Sequence, residues 1–370
     1  MRKVFDVELG AESERFTTLT LPAAPWAMQD ALEKLELRED ESPSWEVLQT
    51  HRCDRIYPFL NQDDSLFELN ALCQQLSVLD NRQTTIVEGL IKAEFDQGAR
   101  PVPMQRMIDM AYSTDRCHFL DGITTDAQLG RFCAENGFVP EADDLSDEAF
   151  ELLNFTKIGR EFRQTGGGVF TSGGYVQRHD ELREVSKYMD FTPKKPDYAI
   201  LAETCSGCEV KFPFPANEPM GTEPVRCVDC MVPALIGAGG GMERIDLLAR
   251  RLSGLEGAGT LAKYKALLAA TECDDVECAL DLVDELDQYA LSAALREPDE
   301  VARAKLEKFL PDDVRQVLLP YVQLYAFGTA LVHSQGSEIT EYGLIERTDG
   351  GPILTEYQAP AQGGLEMMQH

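Results

Sequence analysis

Apolar side chains that recur at matching spacing in two halves of the chain restrict its fold more than any single segment does. Leu69, Leu72, Cys73 and Leu76 match Ile245, Leu248, Ala249 and Leu252 without a gap. Leu152, Leu153, Phe155 and Ile158 match Leu318, Leu319, Tyr321 and Leu324. Phe170, Thr171, Gly174 and Val176 match Ile339, Thr340, Gly343 and Ile345, and Pro58-Phe59-Leu60 has a counterpart in Pro233-Ala234-Leu235. Unrelated α+β segments share some apolar periodicity, but anchors that keep one order predict a tandem duplication. The Pro-rich stretch 191–197 reads as the joint.

Within each half the hydrophobic period changes. Residues 4–9 and 16–21 alternate as a hairpin, and 25–37 reads as a helix with Ala27, Ala31, Leu32 and Leu35 on one side. A third strand is predicted over 47–57, closed by Pro58. Ser65 with Glu68 reads as a capping box ahead of a helical run. Further helices are predicted over 84–95, 104–112 and 126–135, with two short ones within 146–164. Ser172-Gly173-Gly174 then turns a closing hairpin. Beyond the joint, 198–203 and 209–214 read as a strand pair and 225–232 as a third strand. The fold class expected is α+β, with small antiparallel α/β modules alternating with helical bundles in a tandem duplication. The modules fall at 1–60 (α/β), 61–145 (bundle) and 146–190 (helix plus hairpin), then 196–235, 236–310 and 311–350 in the same order, with a loose tail over 351–370.

Charge narrows the function. The chain has 34 Lys plus Arg against 64 Asp plus Glu, a net charge of −30. Residues 1–180 and 181–370 each carry −15, so the charge is spread along a folded body and is not gathered in a tail. Such a balance disfavours binding to nucleic acid, which needs cations to neutralise phosphates, and docking on anionic membranes. Residues 1–6 lack the apolar run of a signal peptide, and no apolar stretch approaches the roughly 20 residues that span a bilayer. The ten cysteines read as reduced, buried thiols, so a cytoplasmic protein is expected.

The most regular charged feature lies in 273–289, predicted as one helix. Asp274, Glu277, Asp281 and Asp284 recur at helical spacing, and Asp275, Glu285 and Asp287 broaden the acidic face. Val276, Leu280, Val283 and Leu286 take the other side. Along a helix rising about 1.5 Å per residue, these seven carboxylates give roughly one charge per 3 Å. A DNA strand carries about one phosphate per 3.4 Å. Most acidic stripes are simply solvated faces, but those usually mix signs, because like charges at i, i+4 repel. No Lys or Arg falls between Lys265 and Arg296. Shorter acidic clusters occur at Glu141, Asp143, Asp144, Asp147 and Glu148, and at Glu36, Glu39, Asp40 and Glu41.

Residues 51–59, His-Arg-Cys-Asp-Arg-Ile-Tyr-Pro-Phe, followed by Glu68-Leu69-Asn70 opening a helix, resemble the first two modules of ArdA-type antirestriction proteins. Phe138–Pro140 and 153–162 (Leu-Asn-Phe-Thr-Lys-Ile-Gly-Arg-Glu-Phe) resemble the start of that family's last module, and 168–175 its closing hairpin. The likeness runs through about residues 1–180, and the chain is about twice as long as the family pattern. The resemblance implies an elongated DNA mimic that occupies the DNA groove of type I restriction-modification enzymes without turnover. It also implies a monomer acting as a pseudo-dimer, or a homodimer. Two alternatives share the composition: inhibition of another DNA-handling defence enzyme, such as a CRISPR nuclease, and an acidic adaptor that imitates nothing.

No cofactor is required by these motifs, but Cys205, Cys208, Cys227 and Cys230 form two C-x2-C pairs spaced like the ligands of a structural zinc. Against zinc, the second pair lies in a predicted strand, and Arg52, Cys53 and Arg55 take the matching positions of the first half. Gly237–Gly241 lacks the lysine of a phosphate-binding loop and reads as a flexible turn. None of the five histidines falls in a nucleophile or metal motif, and a non-enzymatic protein is expected.

Overall fold

The computed structural model describes residues 2–38, 41–142, 145–192, 194–204, 210–216, 221, 223–255 and 259–353. They divide into two compact units, Met1–Ala23 with Ala31–Lys194, and Ala24–Asp30 with Lys195–His370. No helix among the described residues is long and apolar enough to cross a membrane.

In the first unit, strands β1 (Phe5–Gly10) and β2 (Phe16–Leu21) pair antiparallel, and β3 (Ser44–Thr50) completes their sheet; helix α1 (Pro25–Leu35) lies between β2 and β3 in the chain, with its residues 25–30 belonging to the second unit. The order is β2-β1-β3, and alternation buries Phe5, Val7, Leu9, Leu19 and Leu21 on one face. The third strand ends seven residues before the predicted boundary. Residues 51–56 turn instead, and Cys53 takes a left-handed φ of 63°. Helices α2 (Leu66–Val78), α3 (Asn81–Asp96) and α4 (Met104–Ala111) follow. Ser65 caps α2 through Phe67 N, but Glu68 does not complete a box, because its carboxylate accepts from Gln105 at 2.6 Å. The capping box present in this unit is Asp80 with Gln83, at the start of α3.

The segment expected as pure bundle also holds strand β4 (Cys117–Asp121), which periodicity missed. It pairs with β6 (Gly174–Arg178), and β5 (Val169–Phe170) completes the order β4-β6-β5. Around this sheet lie α5 (Asp126–Glu135), the short α6 (Asp147–Phe150) and α7 (Phe155–Gly166). Where α5 and α7 cross, a Cβ on Gly159 would stand 1.9 Å from Asp126 O, and one on Gly130 would stand 1.8 Å from Phe155 O. Only glycine permits that approach.

The second unit repeats this order, except that α1 has no counterpart there and one further strand is added. Its strands β7 (Ile200–Thr204), β8 (Lys211–Phe214) and β9 (Pro224–Cys230) stand as β9-β7-β8, matching β3-β1-β2. Both sheets bulge at the same place: the register slips after Asp6 in β1 and after Leu201 in β7. Gly239–Gly241, read as a flexible turn, forms strand β10 beside β9. Helices α8 (Met242–Gly254), α9 (Thr260–Ala270) and α10 (Val276–Asp284), strand β11 (Tyr289–Ser292), helices α11 (Pro298–Phe309), α12 (Asp312–Leu318) and α13 (Leu324–Gln335), and strands β12 (Glu338–Thr340) and β13 (Gly343–Arg347) then follow. Their sheet order, β11-β13-β12, repeats β4-β6-β5.

Side chains repeat as well. Asn70 on α2 accepts from Ala23 N at 2.8 Å, and Asp246 on α8 accepts from Ala216 N at 2.7 Å. Thr171 and Thr340 each donate a hydroxyl to the carbonyl of the glycine three residues on, both at 2.9 Å. Gly328 on α13 lies against Pro298 O as Gly159 lies against Asp126 O. This last pair corrects the sequence match of 152–158 with 318–324: Phe155 corresponds to Leu324, three residues further on. A slip of three is nearly one helical turn, so it leaves the apolar stripe in phase and is invisible to periodicity. The bulges likewise match Cys227 and Cys230 with Val47 and Thr50, not with the positions 52–55.

Trp26 packs in the core of the second unit with Ile200, Phe214, Leu248 and Tyr264. Polar groups in this core are paired. Asp229 accepts from Trp26 N at 3.3 Å, from the Tyr198 hydroxyl at 2.6 Å and from Cys230 N at 3.0 Å. Lys265 meets Asp30 at 2.6 Å with side chains only 2% and 4% exposed, and Tyr342 donates to the same carboxylate.

Candidate functional site

The acidic segment 273–289 does not form one helix. Helix α10 covers Val276–Asp284, a 3-10 turn covers Leu286–Gln288, and β11 begins at Tyr289. Asp275 is the N-cap: its carboxylate accepts from Glu277 N at 2.9 Å and Cys278 N at 3.1 Å, a bond type that stabilises a helix by about 1 kcal/mol. Val276, Ala279, Leu280 and Leu282 are buried, and α10 packs on α8 and α9. That burial turns Asp274, Asp275, Glu277, Asp281, Asp284 and Asp287 outward, and all six are exposed. Glu285 is half-buried. A uniform spacing of charge along a single helix therefore holds only across α10 itself.

Two cations that the local sequence does not contain reach this face. Arg244 Nε lies 2.7 Å from Glu277, and Arg251 lies 3.3 Å from Asp284. They sit seven residues apart on α8, two helical turns, and so share one side. The bond to Glu277, with Asp281 adding its field, raises the affinity of Arg244 for its proton. All four partners of these two pairs are well exposed, so each is worth no more than about 1 kcal/mol, and each neutralises one carboxylate locally. The signal was present in the sequence as Arg244 and Arg251 at i, i+7, but only packing shows which carboxylates they reach.

The smaller clusters divide in the same way. Glu141, Asp147 and Glu148 are exposed, and Asp147 and Glu148 occupy the first turn of α6, where negative charge complements the helix dipole. Glu36 pairs with Arg15 at 2.7 Å. Glu41 is a structural residue: its carboxylate is 7% exposed, accepts from Glu12 N at 2.6 Å and faces Arg38. Glu39, Asp40, Asp143 and Asp144 lie outside the described residues.

Of the four cysteines expected as a zinc set, Cys205 and Cys208 also lie outside the described residues. Cys227 and Cys230 are buried in β9, where the bulge turns both toward the core, and burial pushes the Cys230 thiol well up. Among the described residues no group of three or more His, Cys, Asp or Glu is placed to hold a metal ion. The buried carboxylates Asp30 and Asp229 are engaged by the core contacts given above, which makes them structural.

No family model matches this chain, and no curated protein matches it in sequence.

Proposed function

We propose that this protein is an antirestriction DNA mimic that competes for the basic groove of a DNA-handling defence enzyme, with a type I restriction-modification enzyme as the first target to test. One observation carries the proposal: the six exposed carboxylates within 274–287, set in a chain whose two halves are equally acidic. The likeness of residues 51–59, 153–162 and 168–175 to ArdA-type proteins supports the choice of target. The duplicated fold supports a chain that presents two related acidic bodies. A cytoplasmic location follows from the same proposal, since its target acts there.

A mimic that displaces DNA loses affinity as salt rises, because its carboxylates replace phosphates on the same cations. It acts by occupancy, so inhibition is stoichiometric. Its interface consists of many weak contacts, each near the modest value of an exposed pair. The test titrates the protein into a purified type I enzyme cutting unmodified DNA, at two salt concentrations. Asp274, Asp281, Asp284 and Asp287 are then changed together to Asn. We expect one-to-one inhibition, weaker at high salt and weakened at least about tenfold by the fourfold change, the loss of roughly 1.4 kcal/mol. Full inhibition at strongly substoichiometric protein would show an enzyme. Failure to inhibit any DNA-handling enzyme would overturn mimicry in favour of the adaptor.

A further inference from the structure

Most arginines of the first unit reach a carboxylate, and Arg52 and Arg100 are held instead by backbone carbonyls. Arg106, Arg116, Arg131, Arg163, Arg178 and Arg183 are among those that reach carboxylates. Arg82 is exposed on α3 and, among the described residues, engages no carboxylate or carbonyl; its guanidinium stands 5.7 Å from the centre of the Phe119 ring. That ring and Arg82 belong to the lining of a cavity of about 260 Å³. Its other aromatic walls are Phe132, Phe138, Phe162 and Tyr175, with His118 also in the lining. Phe138 meets Phe162 edge to face at 5.6 Å and stacks on Phe132 at 6.2 Å, yet Phe138 remains 56% exposed.

The second unit supplies an internal control. The strand registers match Phe119 with Leu291, and Tyr175 with Leu344. The two helix crossings match Phe162 with Leu331 and Phe132 with Ala304. The same sheet and helix pair therefore fold there with aliphatic and small residues at these four positions. Packing of the module does not require the rings, and an aromatic-walled cavity with a free cation calls for another use.

We propose that this cavity binds a small aromatic carboxylate. Aromatic walls favour a flat ring, which stacks on or meets them edge-on. A cavity of about 150 Å³ holds one benzene ring, so the present one accommodates one or two fused rings. A guanidinium fork recognises a carboxylate through two parallel bonds, and Arg82 has that fork free. The site is separate from the acidic face on α10 and does not depend on mimicry.

Calorimetry on the full chain tests this, in about 0.15 M salt so that the surrounding negative charge is screened beyond roughly 8 Å. The probes are indole-3-acetate, its isosteric neutral amide, and acetate. We expect one molecule of indole-3-acetate bound per chain, at least about tenfold tighter than the amide, and no heat from acetate. Arg82→Gln removes the preference for the acid. Phe119→Leu with Phe132→Ala, the residues the second unit carries, removes binding, while circular dichroism verifies the fold. Should that pair unfold the module, Phe162→Leu replaces it. No heat from indole-3-acetate at millimolar concentration, equal binding of acid and amide, or undiminished binding by Arg82→Gln overturns the assignment. A peptide ending in tryptophan that binds tighter than indole-3-acetate overturns it in favour of a protein C-terminus.

Discussion

Replacing Gly159 by alanine tests the close approach of α5 and α7. The added Cβ would lie 1.9 Å from Asp126 O and 2.7 Å from Gly130 N, both backbone atoms that cannot swing aside. Real contacts of this kind stay beyond 3.0 Å, so α5 and α7 must separate by about 1.1 Å or more. Overpacking of this sort costs about 1–3 kcal/mol, and a backbone clash on a crossing helix belongs at the upper end. Alanine returns up to about 1 kcal/mol through its better helix propensity. The net loss is about 2 kcal/mol, roughly a thirtyfold rise in the local opening constant and an equal fall in protection. Hydrogen exchange read on peptides from 126–135 and 155–166 measures it directly and does not assume one global transition in a two-unit chain. Gly328→Ala should produce the same loss in α11 and α13, because its Cβ would meet Pro298 O at 1.6 Å. Gly254→Ala, with nothing within 4 Å, should be neutral or slightly stabilising. If Gly159→Ala protects its helices as well as the parent does, the crossing is not as close as described, and the registration of the two units on Gly159 and Gly328 fails with it.

Two other outcomes are expected. Lys265→Met removes the buried cation that meets Asp30 at 2.6 Å and should cost about 3–5 kcal/mol, whereas adding Asp30→Leu should recover much of that loss; chemical denaturation followed through Trp26 reads both. The two bonds from Arg163 hold the Asp126 carboxyl below its usual range, at 2.9 and 3.2 Å. A depressed acid contributes stability that is complete above the unfolded value near pH 4 and is lost as pH falls through the folded one. The module around α5 and α7 should therefore loosen below about pH 4, and Arg163→Met should remove that pH-dependent increment in acid titration monitored by hydrogen exchange.

The periodicity of apolar residues was enough to specify most helices, the opening hairpins and the repetition itself. Those signals are local: Leu69, Leu72, Cys73 and Leu76 must share a face whatever they meet. The same period could not tell a match at 318–324 from one at 321–327, since both keep the stripe inward. It missed β4, whose residues 117–121, half-buried or exposed, do not alternate cleanly and whose partner β6 is more than fifty residues away. The glycines of β10 carry no side-chain signal, and only pairing with β9 makes them a strand.

For the candidate sites the division is sharper. The amino-acid order alone put carboxylates at helical spacing across 274–284 and set apolar residues behind them, because a buried stripe forces the intervening positions into water. Which carboxylates keep their charge unpaired depends on α8, since Arg244 and Arg251 are more than thirty residues distant in sequence and reach Glu277 and Asp284 only by packing. The aromatic cavity likewise gathers residues from α3, β4, α5, α7 and β6, and no window of the chain contains enough of them to show it. Charge total and repeat are sums over the sequence and survive any folding; pairing and cavities are distances, and only the tertiary structure determines distances between residues far apart along the chain.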